Sequence, residues 1–304
     1  MNQTQVESGT SVKKTVLTVA IYVVVIAAVA IGSYYLAPVV YPTPKIATLD
    51  MTYEVSGLLS DVLSRQVEYA INAPDIKAVV VVINSPGGSA AAGHDIYYQL
   101  LRLRQTKPVV ASVDIGAFSA AYQIAVAANE IYAKPASFVG NVGVIMGQPS
   151  PDTLSEQYTT TGPYKSIGAS ATGFLQKQDL IFNEFRDSVV AERSAAPNPL
   201  KISPEKVATG EIWVGLEAMD YGLIDAIGSR LDAIDAAAKM VGLKKYQVVD
   251  LRTEYLDSLG AQGDQAAYES ALKLFSDLDN QPKIDLSTQQ SKYPVLYQIY
   301  IPLE

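Results

Sequence analysis

Cysteine and histidine, two common nucleophiles and bases, are almost missing from this sequence, and that narrows the chemistry. There is no cysteine, and His94 is the single histidine. A chain without thiols has no cysteine nucleophile, thiolate zinc site, iron–sulfur cluster or disulfide framework. One histidine excludes multi-histidine metal centres, and a Ser-His-Asp triad is open only if His94 serves it. Neither a metal nor a cofactor is expected. The chemistry falls to hydroxyls, carboxylates, lysines and backbone amides.

Three segments can combine such groups. In Ile83-Asn84-Ser85-Pro86-Gly87-Gly88-Ser89, two adjacent glycines follow an apolar run. At the end of a buried strand that opens into a helix, such glycines let backbone N–H groups point into a crevice. Open α/β sheets bind ligands at that edge. The segment reads as an oxyanion hole or simply as a tight strand–helix turn. It lacks the GK[ST] of a P-loop and is not GxGxxG. In Gly116-Ala117-Phe118-Ser119-Ala120-Ala121-Tyr122, Ser119 begins a helix of small residues, either as a nucleophile or as an ordinary cap. Its neighbours do not fit the GxSxG nucleophile elbow. His94 stands beside Asp95 within the helix after the glycine turn and reads as an ordinary helix residue.

A serine can also use lysine as its base, provided the amine is neutral. An ordinary lysine has a pKa of about 10.4, and lowering it to about 7–8 in an apolar pocket costs about 4 kcal/mol. The candidate therefore belongs among uncharged residues. Lys165 meets that condition, since no other charge lies between Glu156 and Lys177. A lysine in an exposed polar loop would show the same pattern.

The elements that must position these residues alternate between strand and helix. Lys45–Tyr53 reads as a strand and Ser60–Ile71 as an amphipathic helix. Ala78–Ile83 is a continuous apolar run, the mark of a strand buried on both faces. A helix over Ala90–Arg104, a strand over Val109–Val113 and a helix near Ser119–Ala128 follow. Short strands are expected at Ile131–Ala133 and Val142–Met146. A long helix over about Lys177–Arg193, a capped segment at Ser203-Pro204-Glu205 and a helix over Leu231–Val241 complete the pattern, which is that of an α/β domain with crossovers. Tyr293–Leu303 reads as a closing strand or as one added to a neighbour's sheet edge.

The 304-residue chain is 49% hydrophobic, and part of that fraction is concentrated near its start. Val16–Leu36 runs without a charge, and as a helix it is about 32 Å long, enough for a hydrocarbon core of about 30 Å. Lys13 and Lys14 precede it and Lys45 is the first cation after it, which favours a cytoplasmic N-terminus and an extracytoplasmic body. The run exceeds a signal-peptide core, and proline after Ala37 spoils the cleavage site, so an uncleaved anchor is expected. Pro38, Pro42 and Pro44 then make a stiff spacer. A net charge of −8 and a pI near 4.8 argue against nucleic acid as a partner.

Taken together, these segments resemble the signal peptide peptidase A family, membrane-bound serine proteases of peptidase family S49 in the ClpP/crotonase superfamily. The resemblance runs from about Ile46 to Leu243. It rests on Ile83–Gly88 (INSPGG), on Phe118–Ala125, on Asn129–Val144, on Gly162-Pro163-Tyr164-Lys165-Ser166, and on Gly210–Ala218 with Tyr221–Asp225. It implies an N-terminal transmembrane helix followed by a ClpP/crotonase-like α/β domain of repeated ββα units in a superhelix. The resulting layout is a tail (1–15), anchor (16–37), spacer (38–45), protease domain (46–250) and C-terminal extension (251–304). It further implies Ser119 as nucleophile, Lys165 as general base, and an oxyanion hole from the Gly88 and Ala120 amides with Gly87 shaping the turn. Remnant signal peptides or other apolar membrane-derived peptides are the implied substrates, and a homo-oligomeric ring with shared active sites the implied assembly. Three departures stand out: Ala120-Ala121 replaces two glycines, Asn141 a serine and Gln123 a tyrosine. A related stomatin-partner protease, or a catalytically silent peptide-binding scaffold, are the other readings.

Overall fold

The computed structural model describes residues 7–40, 43–147, 161–162, 164–165 and 167–281. The chain divides into two compact units, Met1–Pro44 and Lys45–Glu304. The first holds helix α1 (Glu7–Val40). Its segment Lys14–Ser33 has a mean hydropathy of 2.6 and is long and apolar enough to cross a membrane. Val16, Ile21, Ile26 and Ile31 on its different faces are all more than half exposed. Apolar surface on every side of a helix requires a hydrocarbon surround.

The second unit begins with β1 (Lys45–Met51), α2 (Gly57–Asn72), β2 (Ile76–Ser85), α3 (Ala90–Arg104) and β3 (Val109–Phe118). Next come α4 (Ala120–Val126), β4 (Glu130–Ala133), β5 (Phe138–Gly140), α5 (Ala171–Ser194) and α6 (Pro204–Val207). The remainder is β6 (Ile212–Val214), α7 (Gly215–Tyr221), β7 (Ala226–Ile227), α8 (Arg230–Met240), β8 (Gln247–Asp250), α9 (Leu251–Gln262) and α10 (Gln265–Asp279). The strands form one sheet in the order β6-β5-β3-β2-β1-β8, with β4 on β3 and β7 on β4. Every pairing is parallel except β5 with β6.

The unbroken apolar run of β2 is explained by its central place, because both of its faces are covered. Alternate residues sort to opposite sides. Val79, Val81 and Ile83 join the large core beneath α2, α3 and α4. Ala78, Val80 and Val82 pack on Ala233, Ile234 and Ala237 of α8. Leu251, Phe275 and Leu278 of α9 and α10 belong to the large core.

The expected strand at Val142–Met146 is absent, and residues 141–147 carry no regular structure. The strand in this region lies earlier, at β5, and Gly140 and Asn141 end it with φ of 108° and 57°, incompatible with extended chain. Helix α5 starts at Ala171, several residues before the expected Lys177, because Ser170 Oγ accepts from Gly173 N at 3.1 Å and caps it. Tyr293–Leu303 lies outside the described residues.

Strand β3 changes partners along its length. Val110–Val113 pairs with β4, whereas Gly116–Phe118 pairs with β5. On the β2 side the register jumps from Ile83↔Val113 to Ser85↔Ala117, so β3 carries two extra residues there. This bulge re-aims the strand end. The glycine turn after β2 and Ser119 after β3 thereby meet at the carboxyl edge of the sheet.

Candidate active site

Ser119 occupies the single residue between β3 and α4, with φ 53° and ψ −127°. L-residues seldom adopt this backbone conformation, which costs about 1–3 kcal/mol unless its surroundings impose it. Here they do. Ser119 N donates to Gly140 O at 2.9 Å, and Ser119 O accepts from Tyr122 N at 2.9 Å and Gln123 N at 3.1 Å. Tyr122 is fully buried and its hydroxyl donates to Leu223 O at 2.7 Å. Burial pushes that phenol well above its ordinary pKa, so it stays neutral and anchors α4. The Ser119 hydroxyl makes no cap bond to α4. The capping role left open by the sequence is therefore not the one it plays.

Opposite lies the glycine turn. Gly87 and Gly88 have φ of 89° and 151°. Val55 N donates to Gly87 O and Ser89 N to Val55 O, each at 2.8 Å, so Gly88 is clamped beside Val55. In this parallel bridge the Gly88 N–H points away from Val55. Gly87 N donates to Ser85 Oγ at 3.3 Å, which leaves Gly87 as a shaper of the turn. Among the described residues, the N–H groups of Gly88 and Ala120 donate to no acceptor. Ala120 is the first residue of α4, where an N–H has no intrahelical partner and the helix dipole favours negative charge.

A Cβ at Gly88 would stand 2.2 Å from Val55 O, backbone that cannot yield cheaply. Gly88→Ala is expected to destabilise the body by about 3 kcal/mol, read from the unfolding midpoint of the full chain in detergent. Gly57→Ala, whose added Cβ would meet nothing within 4 Å, serves as the control and should be neutral or slightly stabilising.

The departures at 120, 121 and 141 have structural accounts. Among the described non-glycine residues only Ser119 and Asn141 have positive φ, so the two alanines sit in ordinary helix. Ala120 fits because its neighbour is Gly93, where a Cβ would come within 2.9 Å of Ala120 Cβ. Asn141 tolerates the left-handed region better than most residues. Its Nδ2 donates to Gly210 O at 2.9 Å and its N to Glu211 O at 2.8 Å, which ties the end of β5 to the approach to β6.

Ser119, Gly88 and Ala120 line one cavity of about 210 Å³, together with His94 and Gln123. Its other side is apolar, from Val144, Ile181 and Phe185. His94 was read from sequence as a plain helix residue. It lies four residues after Ala90 on α3, so both present the same face to the cavity. The overlooked signal was that spacing from the glycine turn. His94 Nε2 forms an ion-pair contact with Glu184 Oε2 on α5, whereas Asp95 turns away to Ser60. Lys165 is exposed, and no lysine is among the described residues lining the cavity.

The family model for peptidase family S49 matches residues 102–244, and that for Clp protease matches residues 46–151. The first spans the Ser119 turn and Lys165. Over residues 102–244 the chain is similar to peptidase family S49. A chloroplastic serine protease SPPA of Arabidopsis thaliana is 29% identical over 64% of the chain and 31% of its own length. A Protease 4 of Salmonella typhi is 29% identical over 62% of the chain and 32% of its own length. The chain thus spans about a third of these two relatives. A solved membrane-bound stomatin-specific protease, 1510-N, aligns with a TM-score of 0.47 at 17% identity, covering 68% of this chain and 96% of that one. The Clp protease match spans β1 to β5, and with the parallel sheet it makes the fold of the body ClpP-like.

Proposed function

We propose that this chain is a membrane-anchored serine endopeptidase in which Ser119 is the nucleophile and Lys165 the general base. The observation that carries the reading is the backbone of Ser119. A residue held at φ 53°, with a hydroxyl free of any capping role, shares a cavity with two N–H groups that, among the described residues, have no acceptor. Strain of this kind persists where function needs it.

In the proposed reaction Ser119 Oγ bonds to the peptide carbonyl carbon as neutral Lys165 takes its proton. The N–H groups of Gly88 and Ala120 hold the oxyanion. The C–N bond then breaks and Lys165 returns the proton to the leaving amine. Water, deprotonated by Lys165, then attacks the ester carbonyl, and the C–O bond breaks as Lys165 returns that proton to Ser119 Oγ. Remnant signal peptides and other apolar membrane-derived peptides are the substrate class, met at the bilayer that α1 crosses. Lys13 and Lys14 before the span favour an N-terminus on the cytoplasmic side, with the body outside.

Because Lys165 is exposed and absent from the cavity wall, we assign it to the Ser119 site of a neighbouring copy in a homo-oligomer. Leu175 and Leu180 on α5, 52% and 71% exposed, offer apolar surface for such contact. Mixing tests both assignments. Ser119→Ala and Lys165→Ala chains should each be inactive on a signal-peptide substrate. Co-assembled at equal amounts they should regain about a quarter of wild-type activity, since each site draws serine and lysine from different copies. Retained activity in both single variants rejects the dyad, and no recovery on mixing rejects sharing between copies.

A further inference from the structure

The cavity beside Ser119 has a polar wall that the proposed acyl-transfer chemistry does not use. His94 and Gln123 line it, and Glu184 stands behind both. Glu184 Oε2 receives Gln123 Nε2 at 3.2 Å and the ion-pair contact of His94 Nε2. Gln123 Nε2 also donates to Ser188 Oγ at 3.2 Å. A carboxylate accepts only, so this amide must present its NH₂ to α5 and turn its oxygen elsewhere. Among the described residues Oε1 of Gln123 accepts no hydrogen bond, although the side chain is almost fully buried. The side chains of His94 and Glu184 are 24% and 36% exposed, and of the two His94 lines the cavity.

Ile181 and Phe185, on the same helix as Glu184, also line the cavity and are apolar. A cavity of about 210 Å³ holds one long side chain. Its apolar wall suits a methylene stem, and its acceptors suit a donor at the tip. Sites that are mostly apolar with a few placed polar groups draw orientation and selectivity from those groups. An aliphatic guest would leave Gln123 Oε1 unpaired, with no donor in return for the water it displaces.

We propose that this cavity is the subsite for the residue whose carbonyl Ser119 attacks, and that His94, Gln123 and Glu184 make it select a side chain with an aliphatic stem ending in a hydrogen-bond donor. Glutamine and lysine are the class, preferred over leucine. The inference rests on the peptidase reading for the identity of the site and goes beyond it in naming the selected residue.

Binding separates the two. In the full chain carrying Ser119→Ala, in detergent, three labelled peptides that differ only in glutamine, lysine or leucine at one position are titrated by fluorescence anisotropy. Glutamine and lysine peptides should bind about tenfold tighter than the leucine peptide. On that background His94→Leu and Glu184→Gln, both at partly exposed positions, should bring the ratio to about one through weaker glutamine and lysine binding. With Ser119 intact, cleavage should follow the glutamine or lysine, and the variants should change KM for those peptides more than kcat. Equal binding of the three peptides, tighter binding of leucine, or an unchanged ratio in both variants overturns the proposal. Discrimination in binding with no cleavage by the intact chain would sink the peptidase reading and leave the selectivity standing.

Discussion

Ser119→Gly is expected to be inactive and at the same time more stable than Ser119→Ala. Both substitutions remove the proposed nucleophile, and on that proposal peptide cleavage should fall at least about 10³-fold in each. Their stabilities should part because of the backbone. At φ 53° and ψ −127° any side chain is strained, and alanine keeps its Cβ whereas glycine does not. Relief of about 1–3 kcal/mol is partly offset by the greater freedom of glycine in the unfolded chain, about 0.5–1 kcal/mol. The glycine variant should therefore unfold about 1 kcal/mol later than the alanine variant, a rise in midpoint of a few degrees. Differential scanning of the two variants in the same detergent reads the difference. A glycine variant less stable than the alanine variant would mean that Ser119 is not strained, and the main support for its role would go.

The second large effect lies behind the site. Arg193 on α5 and Asp225 before β7 are both 3% exposed. The guanidinium donates to Asp225 twice, from Nη1 at 2.7 Å and Nη2 at 3.0 Å. Its Nε donates to Gly222 O and its Nη2 to Asn198 O, each at 2.9 Å. Asp225 also accepts from Ile131 N at 2.8 Å and Asn198 N at 3.0 Å. One buried pair thus ties α5, the loop after it, the end of α7 and the start of β4. Arg193→Met leaves Asp225 buried with its main countercharge gone, and the expected loss is about 3–5 kcal/mol. Arg193→Lys should recover only a fraction, since an ammonium cannot form the fork. Arg230→Ala is the matching control, because its pair with Asp50 is about half exposed on both sides. That change should cost less than about 1 kcal/mol. Urea denaturation of the full chain in detergent distinguishes these values. A small effect at Arg193 would show that α5 is held by its apolar face alone, through Phe185 and Val189.

These two effects also mark where sequence reading reaches its limit. The apolar run inside Ile76–Ser85 and the period of Ala90–Arg104 identify their elements unaided, because burial on both faces and amphipathic spacing are local properties of the chain. The apolar stretch within Lys14–Ser33 is likewise decided by length and composition. The absence of thiols and of a second histidine directs any nucleophilic chemistry here to serine, and motif order directs it to Ser119 and Lys165. The strand expected at Val142–Met146 failed for a different reason. Its apolar residues look extended, yet Gly140 and Asn141 turn the chain, and a left-handed pair becomes visible only once β6 is in place to bind it.

Much of the site is of that second kind. The bulge that swings β3 from β4 to β5 depends on pairings between residues 20 and 22 apart in sequence. The strain at Ser119 exists only because Gly140 O, Tyr122 and Gln123 hold it from three directions. His94 carries no mark in sequence beyond being single; packing of α3 against α4 and α5 brings it to the cavity beside Ser119 and against Glu184. The sequence by itself therefore determined which residue types are available, the membrane-spanning segment and the succession of elements, all of which follow from local composition and periodicity. Tertiary structure decided which of those residues share a wall, which amides are left without acceptors and which backbone is strained, because each depends on neighbours that the linear order does not bring together.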